Sequence, residues 1–501
     1  VRSHLESGQF TLGDEISPNL FLQLFWGEWF CRLGGGFSFT WLRLSTLVLA
    51  WAATLCIYGL LRLGGGKRKP AFWGALLFGF SPVFFSLSYT FMTDVPFLAA
   101  TLGSILAFSL FLKSRRPGYR IAGYILALAA YLMRLPGIFI IPAFEVALWV
   151  ATDDKRQALR WVGAGLIVST GFFVLMEQWI KPTLGLSPAT TIGSDLFTER
   201  HLSEPGRNIL QFFKNILRGL FITGLFCLPL TPQVWKASAK AGLLRPRILG
   251  VAVLFTVGLT GVLYRMGMVF PFSEGGNIFY NFGLGPPLLY DWHVLGMDFP
   301  LRLPGLLMAG LGIWAELLGL LLLLLMVVRI RSHSRLSPFF TFLFILNAAY
   351  LLLLGLYSYH DRYFLLPFAS MLIWLLPERP LSFPLRTNLI LITVTACFSI
   401  TTTHDYLAWN RSVHQLAGRW AQQGVAPVNI DGGVAYNGWH KGETRNPSAK
   451  KIIAFQPIPD YQVADSSIYL TWLFGRKQHI WMLQNGTTEI QHEGSSSDSA
   501  E

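Results

Sequence analysis

The strongest constraint on this chain is a series of long apolar runs divided by short charged connections. Two of them, Ala71–Leu87 and Val95–Leu112, contain no Lys, Arg, Asp or Glu and flank the segment Ser88–Asp94. Apolar runs near the roughly 20 residues that a helix needs to cross a bilayer fold as membrane spans. Candidate spans are Leu42–Leu61, Phe72–Leu87, Val95–Leu112, Ile121–Met133, Leu135–Val150, Trp161–Trp179, Leu217–Leu230, Ile248–Phe270, Leu303–Val328, Phe339–Tyr357, Tyr363–Leu376 and Thr387–Thr403. The expectation is an all-α polytopic membrane protein with about twelve helices. Composition agrees, since only 13% of the 501 residues are charged, about half the share in a soluble domain.

Positive charge sits in alternate connections: Arg62/Lys67/Arg68/Lys69, Lys113/Arg115/Arg116/Arg120, Lys155/Arg156/Arg160, Lys236/Lys240/Arg245/Arg247, Arg329/Arg331/Arg335 and Arg379/Arg386. The positive-inside rule places these in the cytoplasm and the intervening loops outside. The net charge of +13 is therefore loop bias, and no nucleic-acid partner is expected. Cys56, Cys227 and Cys397 lie in apolar runs and Cys31 stands alone, a pattern with neither disulfide nor zinc-site spacing. The chain opens at Val1 in mid-pattern, and a further N-terminal segment is expected before it.

After Thr403 the apolar runs stop. Residues 404–485 read as a small extracytoplasmic α/β module, with a helix around Arg411–Gln423 and strands near Lys451–Phe455, Ile468–Leu473 and His479–Leu483. Residues 486–501 have the composition of a disordered tail, and 1–403 form the membrane domain.

An ionised side chain in a bilayer is costly, so intramembrane charges mark sites or interfaces. Asp94, followed by Val95 and Pro96, reads as an N-cap opening a helix, or as an acid at the mouth of a membrane site. Arg134, in YLMRLPG, either snorkels to the interface or binds phosphate through its planar fork. Ser358–Pro367 gathers His360, Asp361, Arg362 and Tyr363, as a local salt bridge or as a substrate site. Pro271–Trp292 adds Glu274 and Asp291. His293 beside them leaves a divalent metal open, and the cofactor is otherwise unspecified.

MTDVPF, YLMRLPG, NFGLGPPLLYD, YHDRYFLLP and THDYLAWNR with IDGGVAYNGW resemble the bacterial polytopic glycosyltransferases of the GT-C fold. That superfamily includes protein mannosyltransferases and the lipid A aminoarabinose transferases. The resemblance implies a hexosyl or pentosyl transferase of the inner membrane, using a polyprenyl-phosphate sugar and a lipid or glycan acceptor, with inversion. It also implies that Asp94 is the second outer-loop acid and that Arg134 and Arg362 face the donor phosphate. The family's principal acid lies in the first outer loop, just after the first membrane helix, and the chain is expected to begin beyond it; Asp14 and Glu15 do not occupy its motif position. Two other readings are a transporter or lipid-carrier flippase, which would show related halves and broken helices, and a noncatalytic membrane subunit.

Overall fold

The computed structural model describes residues 5, 20–183, 205–265, 277–280, 283–285, 288–297, 305–332, 337–356, 360–375, 385–440, 446 and 448–485. Contacts divide the chain into two units, one formed by Val1–Gly267 with Ala309–Ala396, the other by Met268–Met308 with Cys397–Glu501.

The first unit is helical. It contains α1 (Phe21–Leu33), α2 (Phe39–Leu63), α3 (Arg68–Gly79), α4 (Pro82–Ser88), α5 (Asp94–Ser114), α6 (Pro117–Tyr131), α7 (Ile140–Ala151) and α8 (Lys155–Leu175). After these come α9 (Pro205–Phe226), α10 (Thr231–Lys240), α11 (Pro246–Arg265), then α13 (Gly305–Ser332), α14 (Pro338–Leu356) and α15 (Leu365–Leu375); α12 (Tyr290–His293) belongs to the second unit. Among the described residues, six helices are long and apolar enough to cross a membrane: Phe39–Leu63, Asp94–Ser114, Lys155–Thr183, Ile209–Phe226, Ala309–Arg331 and Pro338–Leu356. Counting the bent pair α3 and α4 as one span makes seven.

Of the roughly twelve membrane helices expected, several others are shortened by helix breakers among the described residues. Phe72–Leu87 is split, with a 65° bend between α3 and α4, because Pro82 cannot continue the hydrogen-bond ladder of the helix before it. Leu135–Val150 begins as a 3₁₀ turn, Leu135–Phe139, before α7. Tyr363–Leu376 yields a 3₁₀ turn, Asp361–Phe364, and the 11-residue α15. A helix of that length is about 16 Å long, well short of a hydrocarbon core of about 30 Å.

The interior of this unit is aromatic. Phe108 of α5 stacks on Phe144 of α7 with centroids 3.8 Å apart, and Phe342 of α14 meets both edge-on. α6 reaches this core through Gly123, where a Cβ would lie 2.4 Å from the Phe108 ring, and Ser104 Oγ donates to the Gly123 carbonyl at 2.8 Å. α9 and α13 touch backbone to backbone. A Cβ at Gly224 would sit 1.8 Å from the Ala315 carbonyl oxygen, and one at Gly319 would sit 2.3 Å from that of Leu220. Gly224→Val is therefore expected to destabilise the protein by about 1–3 kcal/mol or more, seen as a lower thermal midpoint in detergent. An unchanged midpoint would show that the two helices can part without cost.

The second unit carries the sheet. The long α16 (Leu385–Gln422) contributes its residues from Cys397 onward. The separate helix expected around Arg411–Gln423 is instead its continuation, as no Gly or Pro interrupts Thr403–Arg411. Strands β3 (Ile430–Asp431), β4 (Lys451–Ala454), β5 (Tyr461–Leu470) and β6 (Lys477–Asn485) form a sheet of order β3-β4-β6-β5. Only β3 and β4 pair in parallel; β1 (Phe279–Tyr280) and β2 (Gly283–Leu284) make a separate antiparallel pair. Val413, Leu416 and Ala417 of α16 pack with Ile430, Ile453, Ile480 and Met482 to form the core.

Candidate functional site

Asp94 is the first helical residue of α5, with Thr93 at the cap position and no side-chain cap bond there. The N-cap reading is thereby corrected. Its buried carboxylate instead takes two guanidiniums. Arg134 Nη1 pairs with Asp94 Oδ1, and Arg362 Nε lies 3.6 Å from the same oxygen.

Three breaks in helical structure bring these groups together. Asp94 starts α5. Arg134 has extended backbone (φ −156°, ψ 139°) at the head of the Leu135–Phe139 turn, with Pro136 in its first turn. The chain folds back tightly here, since a Cβ on Gly137 would lie 2.4 Å from the Tyr131 nitrogen. Arg362 stands in the Asp361–Phe364 turn, where the buried Asp361 Oδ1 accepts the Arg362 backbone N–H at 2.7 Å. Each break places a polar side chain at a helix end.

Tyr363 binds both cations by its ring face, with the Arg134 guanidinium carbon 4.5 Å and that of Arg362 5.2 Å from the centroid. The His360 ring meets Tyr363 edge-on at 5.5 Å. Burial, and next the Arg362 charge, push His360 down to about 4, so its imidazole is neutral at physiological pH. Two guanidiniums thus converge on the Asp94 carboxylate beside a neutral imidazole, with the Asp361 carboxylate next to Arg362.

The sign of the His360 shift gives an expected pH dependence. Its folded-state value lies below the unfolded value of about 6.5, so the stability contribution is complete above about pH 6.5 and is lost as pH falls toward 4. His360→Asn is expected to remove that acid limb from a plot of thermal midpoint against pH. An identical limb in the variant would assign it to another group.

Sequence reasoning missed Tyr350, a buried residue of α14 that acts electrostatically on Arg134. It sits mid-run among leucines, and nothing in that pattern distinguishes it from packing. Two further polar clusters were also missed. Tyr124 and Arg120 converge on the buried Glu145. Tyr131 and Lys181 converge on Glu177 within the π turn Met176–Ile180 that extends α8.

Asp291 belongs to the second unit. Its Oδ2 accepts the backbone N–H groups of Phe455 and Gln456 at 3.0 and 3.2 Å, joining α12 to the end of β4. Burial raises it to about 6 against the pull of those donors. Glu274 lies outside the described residues. Among the described residues, His293 included, no three His, Cys, Asp or Glu side chains come together as a metal site.

Residues 23–180 match the family model described as dolichyl-phosphate-mannose-protein mannosyltransferase. The matched segment contains Asp94 and Arg134; Arg362 lies beyond it. Searches of curated proteins and of solved structures returned no match.

Proposed function

We propose, with a multi-pass membrane glycosyltransferase of GT-C type as the premise, that the chain transfers a sugar from a polyprenyl-phosphate donor to an extracytoplasmic lipid or glycan acceptor, with inversion. The observation carrying this reading is the pair of guanidiniums that share one buried carboxylate. Arginine suits a phosphate because its fork supplies two parallel hydrogen bonds.

In this reading phosphate and Asp94 compete for the same cations. Donor binding draws Arg134 and Arg362 toward the phosphate and releases the carboxylate. The acceptor oxygen then bonds to the anomeric carbon as the bond to the phosphate oxygen breaks. The hydroxyl proton passes to Asp94 as general base, and the departing electron pair rests on the phosphate, stabilised by the two guanidiniums. Neutral His360 and Tyr363 line the cationic group, and Asp361 holds the turn that carries Arg362.

The proposed orientation puts this cluster on the outer face of the inner membrane, with residues 404–485 also outside. Neither nucleic acid nor a specified metal enters the scheme. The test is transfer of radiolabel from a panel of polyprenyl-phosphate hexoses and pentoses by the full-length protein in nanodiscs, paired with binding of photoactivatable polyprenyl phosphate. Labelled product and saturable crosslinking are expected. Absence of both, in protein shown to be folded, would remove the proposal.

A further inference from the structure

The loop joining β5 to β6 is held rigidly, yet it presents greasy side chains. The Thr471 N–H donates to the Arg476 carbonyl at 2.9 Å, and the Arg476 N–H donates back to Thr471 Oγ1 at 3.1 Å. Four residues, Trp472-Leu473-Phe474-Gly475, close the loop, with Gly475 in the left-handed region (φ 60°) that favours glycine. The loop is tied to α16. The Asp405 carboxylate accepts the N–H groups of Trp472 and Leu473 at 2.6 and 3.2 Å, and the His404 ring stacks on the Trp472 indole at 3.7 Å.

Trp472 and Phe474 are nonetheless 54% and 45% exposed. Ile468 and Leu470, exposed on the outward face of the edge strand β5, extend the apolar strip. Exposed Arg476 and Lys477 follow immediately. The anchoring point is equally telling. His404 and Asp405 come directly after Thr387–Thr403, a stretch of α16 without Lys, Arg, Asp or Glu. The loop is thus pinned where an apolar helical segment gives way to a polar one.

We infer that the Trp472–Phe474 loop is a membrane-interface anchor. It seats its aromatic side chains among the headgroups of the phospholipid bilayer, with Arg476 and Lys477 toward anionic lipid. Trp472 favours this depth because its ring system is apolar but carries a polar N–H, Phe474 adds apolar area beside it, and nearby basic residues add attraction to an anionic leaflet. An exposed apolar patch of this kind needs a partner, and the position of Asp405 selects the lipid surface. The inference rests on the sequence expectation that Thr387–Thr403 lies in the membrane and is independent of the sugar chemistry.

The test uses the full-length protein in nanodiscs, with Cys56→Ser and Cys397→Ser as background and a fluorophore at Phe474→Cys. A matched protein carries the fluorophore at Gln462→Cys, an exposed site toward the other end of β5. Lipids bearing a nitroxide near the headgroup are expected to quench position 474 at least about twofold more than position 462, as burial in the headgroup boundary requires. Raising the phosphatidylglycerol fraction should increase the difference, and Arg476→Glu with Lys477→Glu should cancel that increase. Equal quenching at the two sites would overturn the inference. So would a position 474 shielded from aqueous iodide but untouched by lipid quencher, because a protein surface would then cover it.

Discussion

Asp94→Asn is expected to lower sugar transfer by roughly two to four orders of magnitude, the range for losing a general base, with little change in donor binding. Asparagine keeps the size of the side chain and one acceptor oxygen for Arg134, so the ends of α5 and α6 remain connected. What disappears is the negative charge that, in the proposed scheme, takes the acceptor proton and holds the two guanidiniums between substrate visits. Without it, the cations no longer have to leave a carboxylate before meeting a phosphate, and donor affinity is expected to stay level or rise. Single-turnover transfer measured beside equilibrium crosslinking separates these effects. Transfer at the wild-type rate would exclude Asp94 as the base, whatever happened to binding.

The largest expected effect on stability comes from Arg134→Ala. Removing one partner of a buried ion pair costs about 3–5 kcal/mol, because the remaining charge is left in a poorly solvating place. Arg362, with its Nε 3.6 Å from the same oxygen, offsets part of the loss, so the lower end of that range is expected. The cost belongs to the stranded carboxylate rather than to the missing arginine, which sets up a rescue. Arg134→Ala combined with Asp94→Asn should be more stable than Arg134→Ala alone, a non-additivity expected of groups in contact. If the double variant is the sum of the singles, the pair contributes nothing as a pair. Arg134→Lys should retain most of the stability but lose donor affinity, since an ammonium is a point charge without the fork.

Much of the candidate site was legible because charge is scarce in this chain. Against apolar runs, a single Asp or Arg marks a position where the bilayer cannot be the solvent, and Asp94, Arg134 and Arg362 stand out on that ground alone. Their convergence on one carboxylate oxygen was not legible, because it depends on which helix ends are neighbours. Tyr350 and Tyr131 were invisible for a related reason: a tyrosine in a leucine-rich run has the same pattern whether its hydroxyl or its ring is what matters. Span lengths failed where the composition was right but the backbone was not. Pro82 and the Leu135-Pro136-Gly137 turn each cut an apolar run without altering its hydropathy. In the second unit, β3 escaped notice because two residues, Ile430 and Asp431, carry no period.

The Lys155–Thr183 span keeps little of its surface inside the protein, yet it carries Glu177 and Lys181, both almost wholly buried and joined one helical turn apart. Their pairing is local to one segment, so the counter-charge travels with the helix during biogenesis. The buried pair is neutralised within its own helix, so its entry into the lipid phase need not wait for the neighbours that later enclose it.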